Sequence, residues 1–275
     1  MALEIEGSNP STHPIYLAPI AQRTEHRSSE PRVVGSNPSR RAIILKMKKI
    51  NITINGRRVS GPEGMTILEL AQENGIDIPT LCYRPDLTPI GACRICVVEV
   101  AGSPTLTGAC HTPISEGMVI HTHSPKVRAA RRAIVELLLA SHPDSCLICD
   151  QANICELRQI AADLEVGLPR FRSRKRYYPI EDVSPYIVRD LSKCILCRRC
   201  VRACREIARQ DVLSVAHRGF GTKIVVDTDQ PLNKDVCRDC DICISICPTG
   251  ALRRPKRVSE EKKGKPLVIS EAKGE

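Results

Sequence analysis

Polar and apolar positions follow no sustained period over the first 46 residues, and a clear pattern begins only after them. Ile50, Ile52 and Ile54 then alternate with polar neighbours, as on a strand with one buried face. Asn55-Gly56 is a hairpin turn signal, and residues 57–60 can return as the second strand. Helical spacing over 66–74 ends at Gly75. Residues 97–100 and 118–121 read as further strands. Ser124 and Pro125 then open a helix as N-cap and first position, with Val127, Ala130, Ile134 and Leu137 as its expected apolar stripe. A second helix is expected over 154–165, stopped by Gly167 and Pro169. A basic and aromatic linker follows at 170–182, then a cysteine-rich block over 183–255 with an added hairpin near 219–227. A charged tail, 256–275, closes the chain.

These elements predict an α+β chain of small units: residues 47–124, 125–169 and 183–255. The leader, 1–46, contains Gly-Ser-Asn-Pro-Ser twice, at 7–11 and 35–39. Its back-translation resembles the T-loop stretch of tRNA genes. The leader is therefore expected to be a non-native or disordered extension, with Met47 the true start.

Composition changes the picture. The 275 residues include no tryptophan and only two phenylalanines, but 15 cysteines. Few aromatic anchors are available for a large core, so another agent must hold the fold. An odd cysteine count excludes a complete set of internal disulfides, and the amino terminus has no basic start followed by an apolar run. Thiolate-bound metal in a reducing, cytoplasmic setting fits better. The longest apolar stretch, 133–140, is short and broken by Glu136, so no transmembrane helix is expected.

The cysteines fall into sets. Cys82, Cys93, Cys96 and Cys110 have the spacing C-x10-C-x2-C-x13-C. Four thiolates, two per iron, suit a [2Fe–2S] cluster. Gly91 and Ala92 are small enough for backbone N–H groups to approach the sulfurs. The alternative is a four-cysteine zinc site, which normally pairs two short knuckles where this set has one. His142, Cys146, Cys149 and Cys155 form H-x3-C-x2-C-x5-C. Three cysteines leave one iron of a [4Fe–4S] cubane without a protein ligand, and the imidazole can take that place. The alternative is an open iron beside a bystander histidine.

Two runs of C-x2-C-x2-C-x3-C follow, Cys194, Cys197, Cys200, Cys204 and Cys237, Cys240, Cys243, Cys247. In the two-cluster bacterial ferredoxin pattern the fourth cysteine of each run serves the other cluster. One [4Fe–4S] cluster is thus expected on Cys194, Cys197, Cys200 and Cys247, and another on Cys237, Cys240, Cys243 and Cys204. Pro248 follows Cys247 as that pattern has it, whereas Arg205 follows Cys204.

The formal charge of +10 counts thiols as neutral. Fifteen thiolates and four oxidised cluster cores would leave about +3. Much of the basicity is counter-charge for anionic clusters, and nucleic acid is not an expected partner.

In this order the four sets resemble the amino-terminal iron–sulfur part of the complex I large subunit and of iron-only hydrogenases. As a short chain the protein looks most like the diaphorase iron–sulfur subunit of NAD(P)-linked hydrogenases. The resemblance covers about residues 48–255. It implies a β-grasp [2Fe–2S] ferredoxin domain, a small helical His/Cys [4Fe–4S] domain and a two-cluster bacterial-ferredoxin-like domain. It further implies a flavoprotein NAD(P)H-dehydrogenase partner and a hydrogenase, formate dehydrogenase or complex I-type quinone-reducing module. Through such partners the chain could lie at the periphery of the inner membrane.

All fifteen cysteines are absorbed by the four sets, so the chain alone is expected to be non-catalytic. Two other readings exist. An enzyme with its own flavin or nicotinamide site should show G-x-G-x-x-G, but Gly219-Phe220-Gly221 leads to Ile224 where glycine is required. A nucleic-acid binder would use Arg170-Phe171-Arg172 and the 174–178 run to grip phosphates and stack bases. Cationic residues beside ligands (Arg94, Lys193, Arg198, Arg199, Arg202, Arg205) either stabilise reduced clusters or are solvated surface charge.

Overall fold

The computed structural model describes residues 48–171, 174–182, 184, 186–226, 229, 232, 237 and 239–255, all within one unit, Lys46–Glu275. The expected leader with Met47, the tail 256–275, Arg172, Val183 and Asp227 lie outside the described residues.

The alternating isoleucines form β1 (Lys49–Ile54), which pairs antiparallel with β2 (Arg57–Pro62) across the two-residue Asn55-Gly56 turn. Both turn residues have positive φ, 51° and 82°, as a hairpin turn of matching twist demands. Ile50, Ile52 and Ile54 all face inward. Helix α1 (Ile67–Glu73) begins at Thr66, which forms a reciprocal capping box with Glu69. Strands β3 (Val97–Val100), β4 (Thr107–Gly108) and β5 (Val119–His121) complete a five-stranded sheet of order β2-β1-β5-β3-β4. The central β1–β5 pair is parallel and the others antiparallel. Its core includes Leu68, Leu70, Val98 and Ile120 together with Cys96 and Cys110, so two candidate ligands belong to the core itself.

Helix α2 (Pro125–Ser141) starts as expected, with the Ser124 hydroxyl accepting from Val127 N–H and Pro125 in the first turn. Of the expected stripe Val127 is buried, Ala130 is half-buried and Ile134 packs on a core, but Leu137 is 54% exposed, and Arg131, Val135, Glu136 and Ala140 complete the buried face. The displaced register follows from Arg131, which turns inward because its guanidinium finds the Val97 carbonyl at 2.8 Å. Helix α3 (Glu156–Asp163) packs against α2 through Leu157, Ile160 and Val135, in a second core that also takes in Leu81 and Ile95.

The third region contains β6 (Val188–Arg189), α4 (Arg199–Glu206), β7 (Leu213–Ala216), β8 (Lys223–Val226), α5 (Ile242–Ser245) and β9 (Leu252–Arg253). β6 pairs with β9, and β7 with β8 in a hairpin over 213–226, which begins ahead of the expected 219–227. No helix among the described residues is long and apolar enough to cross a membrane.

Candidate metal centres

Cys82, Cys93, Cys96 and Cys110 are brought together by the sheet and α1. The Leu68 N–H, in the first turn of α1, donates to the Ala109 carbonyl at 3.1 Å, and Ala109 N–H donates to the Cys96 carbonyl at 3.1 Å. These two bonds fix Cys110 beside Cys96. The Cys82 thiol lies within hydrogen-bonding reach of Cys93 and Cys110, and Cys110 within reach of Cys96. Backbone N–H groups of Ala92 and Cys93 approach the Cys82 sulfur, the role expected of small residues there. Gly108 has no room for a side chain: a Cβ would stand 2.5 Å from the His111 ring, whose Nδ1–H donates to the Gly108 carbonyl at 2.9 Å. Hydrogen bonds from Cys110 and Cys93 hold Cys82 well below the ordinary thiol range, while the same bonds and burial push Cys93 and Cys110 up. Four thiols this close cannot all ionise without positive charge among them.

His142 caps the end of α2 and is 8% exposed. Its Nδ1–H donates to the Pro143 carbonyl at 3.2 Å, and Nε2 is buried without a hydrogen bond of good geometry, the Lys193 carbonyl also approaching the ring. Burial holds the imidazole below its ordinary pKa, so the ring is neutral. A neutral ring with one nitrogen tied to a carbonyl and the other without a well-formed hydrogen bond is what a metal-ligating histidine requires. His142, Cys146 and Cys155 line one cavity of about 340 Å³. Cys149 stands close enough, with Cys146, for its charge to add to burial in raising the Cys155 thiol. Between Cys146 and Cys149 the chain turns Leu147 and Ile148 outward, 97% and 88% exposed.

Cys194, Cys197, Cys200 and Cys247 line a single small apolar cavity with Leu191, Ile224 and Leu252. Burial pushes Cys194 up to about 11 and Cys197 up to about 12, and Cys200 well above its ordinary value. Cys237, Cys240, Cys243 and Cys204 form the fourth group. Cys243 is raised to about 12, first by burial and then by the other three thiols. The fourth cysteine of each run therefore stands with the first three of the other. The backbone repeats as well. Leu196 and Asp239, two residues after the first cysteine of each run, have φ of 56° and 53°. Arg198 and Asp241, one residue after the second, have φ of 58° and 61°. Left-handed conformations cost a non-glycine residue about 1–2 kcal/mol each, and they turn consecutive N–H groups toward one point, as anion-binding nests do. Leu196 N–H reaches Cys194 Sγ at 3.4 Å, and Val212 N–H reaches Cys204 Sγ at 3.3 Å.

Among the described residues, no three His, Cys, Asp or Glu side chains converge as they would about a single ion.

The cations beside the ligands divide into two kinds. Arg94 and Arg198 are exposed, and Arg205 is 65% exposed and paired with Asp211. Arg199 and Arg202 are 3% and 7% exposed, and Lys193 lies between Asp150 and Asp190 at 3.3 and 3.2 Å. Arg131, at 1% exposure, joins the buried kind without any signal in the sequence, because a lone arginine on a helix gives no sign of pointing inward. The basic linker is engaged within the chain. Arg170 makes a two-pronged pair with Glu136, and Arg176 lies 4.8 Å from the Phe220 ring centre. Lys175 donates to the Leu139 and His142 carbonyls and pairs with Asp144. Gly219–Gly221 forms one turn that opens strand β8, whereas a dinucleotide fingerprint would open a helix.

Three family models match in succession. They are a 2Fe-2S iron-sulfur cluster binding domain over residues 47–125, the NADH-ubiquinone oxidoreductase-G iron-sulfur binding region over 131–170, and the NADH-quinone oxidoreductase subunit 3 ferredoxin-like domain over 184–253. NADP-reducing hydrogenase subunit HndD of Solidesulfovibrio fructosivorans is 40% identical over 212 residues, covering 75% of this chain and 36% of that protein. An NADH-quinone oxidoreductase subunit of Rhizobium meliloti, the second of its G type, is 37% identical over 205 residues, covering 74% and 24%. The chain thus spans about a third or less of the length of these relatives. A chain of the crystal structure of an NAD+-reducing [NiFe]-hydrogenase in the H2-reduced state superposes with a TM-score of 0.67 at 27% identity. That match covers 76% of this chain and 88% of the other. With its cysteine sets gathered as described, the chain carries in succession the iron–sulfur regions of the NADH-quinone oxidoreductase and NAD(P)-linked hydrogenase subunits to which it is similar.

Proposed function

We propose that this chain relays single electrons through one [2Fe–2S] and three [4Fe–4S] clusters. The electrons pass between a flavoprotein NAD(P)H-dehydrogenase subunit and a hydrogenase, formate dehydrogenase or quinone-reducing module. The first region is read as a β-grasp domain, from its five-stranded order with a parallel central pair and α1 packed on it.

The observation that carries the reading is the crossing of the fourth cysteines. Cys247 shares a cavity with Cys194, Cys197 and Cys200, and Cys204 stands with Cys237, Cys240 and Cys243. Disulfide chemistry does not need this arrangement, since all fifteen cysteines are free thiols.

Bound clusters would supply one-electron uptake and release. The chain's own groups do the rest. Cys93, Cys82, Cys110 and Cys96 stand in one contacting row and together give the four thiolates that a [2Fe–2S] core needs. The buried Nε2 of His142 completes the second set with a neutral ligand, while Cys146, Cys149 and Cys155 give thiolates. Backbone N–H groups donate to Cys82, Cys194 and Cys204 and stabilise added negative charge on the sulfurs. Apolar walls around Cys194, Cys197, Cys200 and Cys247 keep water from that site.

The test is isolation of the native complex followed by anaerobic addition of NADH or NADPH. A flavoprotein should co-purify, the iron–sulfur absorbance of the complex should bleach, and the isolated chain should stay oxidised. NAD(P)H oxidation or hydrogen evolution by the isolated chain would overturn the relay reading in favour of an enzyme.

A further inference from the structure

The four cysteine sites lie on three regions of the chain, and electron transfer between them requires fixed separations, because tunnelling falls off exponentially with distance. The ligands themselves cannot set those separations. The contacts that do so converge on α4, the helix that carries Cys200 and Cys204.

Arg202, midway between those cysteines, reaches away from its own cluster. Its Nη2 donates to the carbonyl of Cys82 and its Nη1 to the carbonyl of Thr88, 120 and 114 residues away in sequence. Glu206, one turn on, accepts from the Thr88 N–H at 2.8 Å. Leu87 packs on Ala203 and Ile246 beneath this polar seam. The loop that begins at a [2Fe–2S] ligand is therefore clamped to α4 by two side chains and an apolar patch.

Arg199 does the same on another side. It pairs with Glu156 through two bonds of 2.6 and 2.8 Å, and Glu156 directly follows Cys155. The Glu156 N–H donates to the carbonyl of Pro248, the residue after Cys247, at 2.9 Å. Each strut thus joins a ligand of one site, or its immediate neighbour, to a helix bearing ligands of another. Both arginines keep a buried Nε without a partner, so their orientation is dictated by the forked contacts at their tips. A planar five-donor fork can hold two acceptors in fixed directions where a lysine cannot.

Resting on the four-cluster reading, we propose that Arg202 and Arg199 are positioning residues. Arg202 sets the separation of the [2Fe–2S] site from the ferredoxin-like pair, and Arg199 that of the His/Cys site.

The experiment uses the full holo chain, reduced anaerobically, as wild type, R202M and R202K. Iron content and the separate electron paramagnetic resonance signals are recorded first. A wild type without those signals fails the cluster reading itself, before the struts are at issue. Pulsed resonance then measures the distance distribution between the [2Fe–2S] centre and its nearest neighbour. The expected result for R202M is full iron content, unchanged individual signals, a broadened distribution and transfer slowed about tenfold, the lower end for loss of an outer-shell contact. R202K should fall between R202M and wild type. A distribution and rate in R202M within twofold of wild type overturn the proposal. Loss of the [2Fe–2S] centre alone also overturns it, since Arg202 would then serve only the Cys82 loop. If R202M yields no holo chain, R202K decides: a wild-type distance distribution refutes the strut, and a broadened one supports it. E156Q applies the same test to the Arg199 side.

Discussion

Replacing Arg131 by methionine tests whether the buried charge belongs to the first cluster. Arg131 is 1% exposed, and its hydrogen bond is to the carbonyl of Val97, the residue after Cys96. Burial pulls its guanidinium down to about 10 from 12.5 even though Cys96 and Asp77 both pull it back up. A net shift of that size means that the site disfavours the charge by about 3 kcal/mol. A cation that costly is sustained by an anion close by. The path from the guanidinium through one hydrogen bond and one residue of chain to the Cys96 sulfur is about 8 Å. At that separation and an effective dielectric near 20, one unit charge contributes about 2 kcal/mol, or roughly 90 mV for one electron. A positive charge favours the reduced, more anionic cluster, so its removal must lower the potential. R131M, of similar length and apolar, should therefore drop the [2Fe–2S] midpoint by roughly 90 mV in a redox titration followed by electron paramagnetic resonance. The other three midpoints should stay in place. An unchanged or raised [2Fe–2S] midpoint would refute the reasoning.

Other outcomes follow from the same geometry. His142→Ala should remove the signal of one [4Fe–4S] centre, and His142→Cys should restore it at a potential lower by roughly 100 mV or more, since thiolate replaces neutral imidazole; wild-type signals in His142→Ala would refute the ligand role. At Gly250 φ is 64°, and a Cβ would stand 2.2 Å from the Gln151 side chain, which lies between Cys149 and Cys155. Gly250→Ala should destabilise the holo chain by about 1–2 kcal/mol and lower iron content at the His/Cys site first, seen as selective loss of that signal. Loading should depend on pH. Ordinary thiols titrate near 9, but Cys194 is raised to about 11 and Cys197 and Cys243 to about 12. A raised pKa favours the neutral thiol: in the metal-free fold its contribution is present below about 9 and lost as pH climbs through 11–12, and cluster binding must expel those protons. Assembly from ferrous iron and sulfide should accelerate between about pH 6.5 and about pH 8.5, and a flat profile would count against buried protonated ligands.

Much of the local structure was legible because its signals are short-range. Asn55-Gly56 between alternating isoleucines could only turn a hairpin, and Ser124-Pro125 could only open a helix. The Thr66–Glu69 capping box is equally readable from its spacing. The cysteine spacings were informative for a different reason: a cluster demands several thiolates from one loop, and that demand is written in the intervals. The rest depends on contacts that no local pattern records. Sheet order, with β5 between β1 and β3, follows from side-chain packing across 70 residues of chain. The two-residue strands β4, β6 and β9 are defined by their partners alone. Arg131, Arg199 and Arg202 look like solvated charge in sequence. Only the carbonyls and the carboxylate they meet, 34, 43 and 120 residues away, draw them inside. The same long-range pull moved the buried face of α2 off Leu137.

The central claim is that sixteen side chains hold four iron–sulfur clusters. Its most direct test is metal and sulfide analysis of the anaerobically purified native chain, with spectra of the fully reduced protein. The account predicts about 14 iron and about 14 sulfide per chain, with one [2Fe–2S] and three [4Fe–4S] signals. Stoichiometric zinc, or paramagnetism from a single centre after complete reduction, would contradict it.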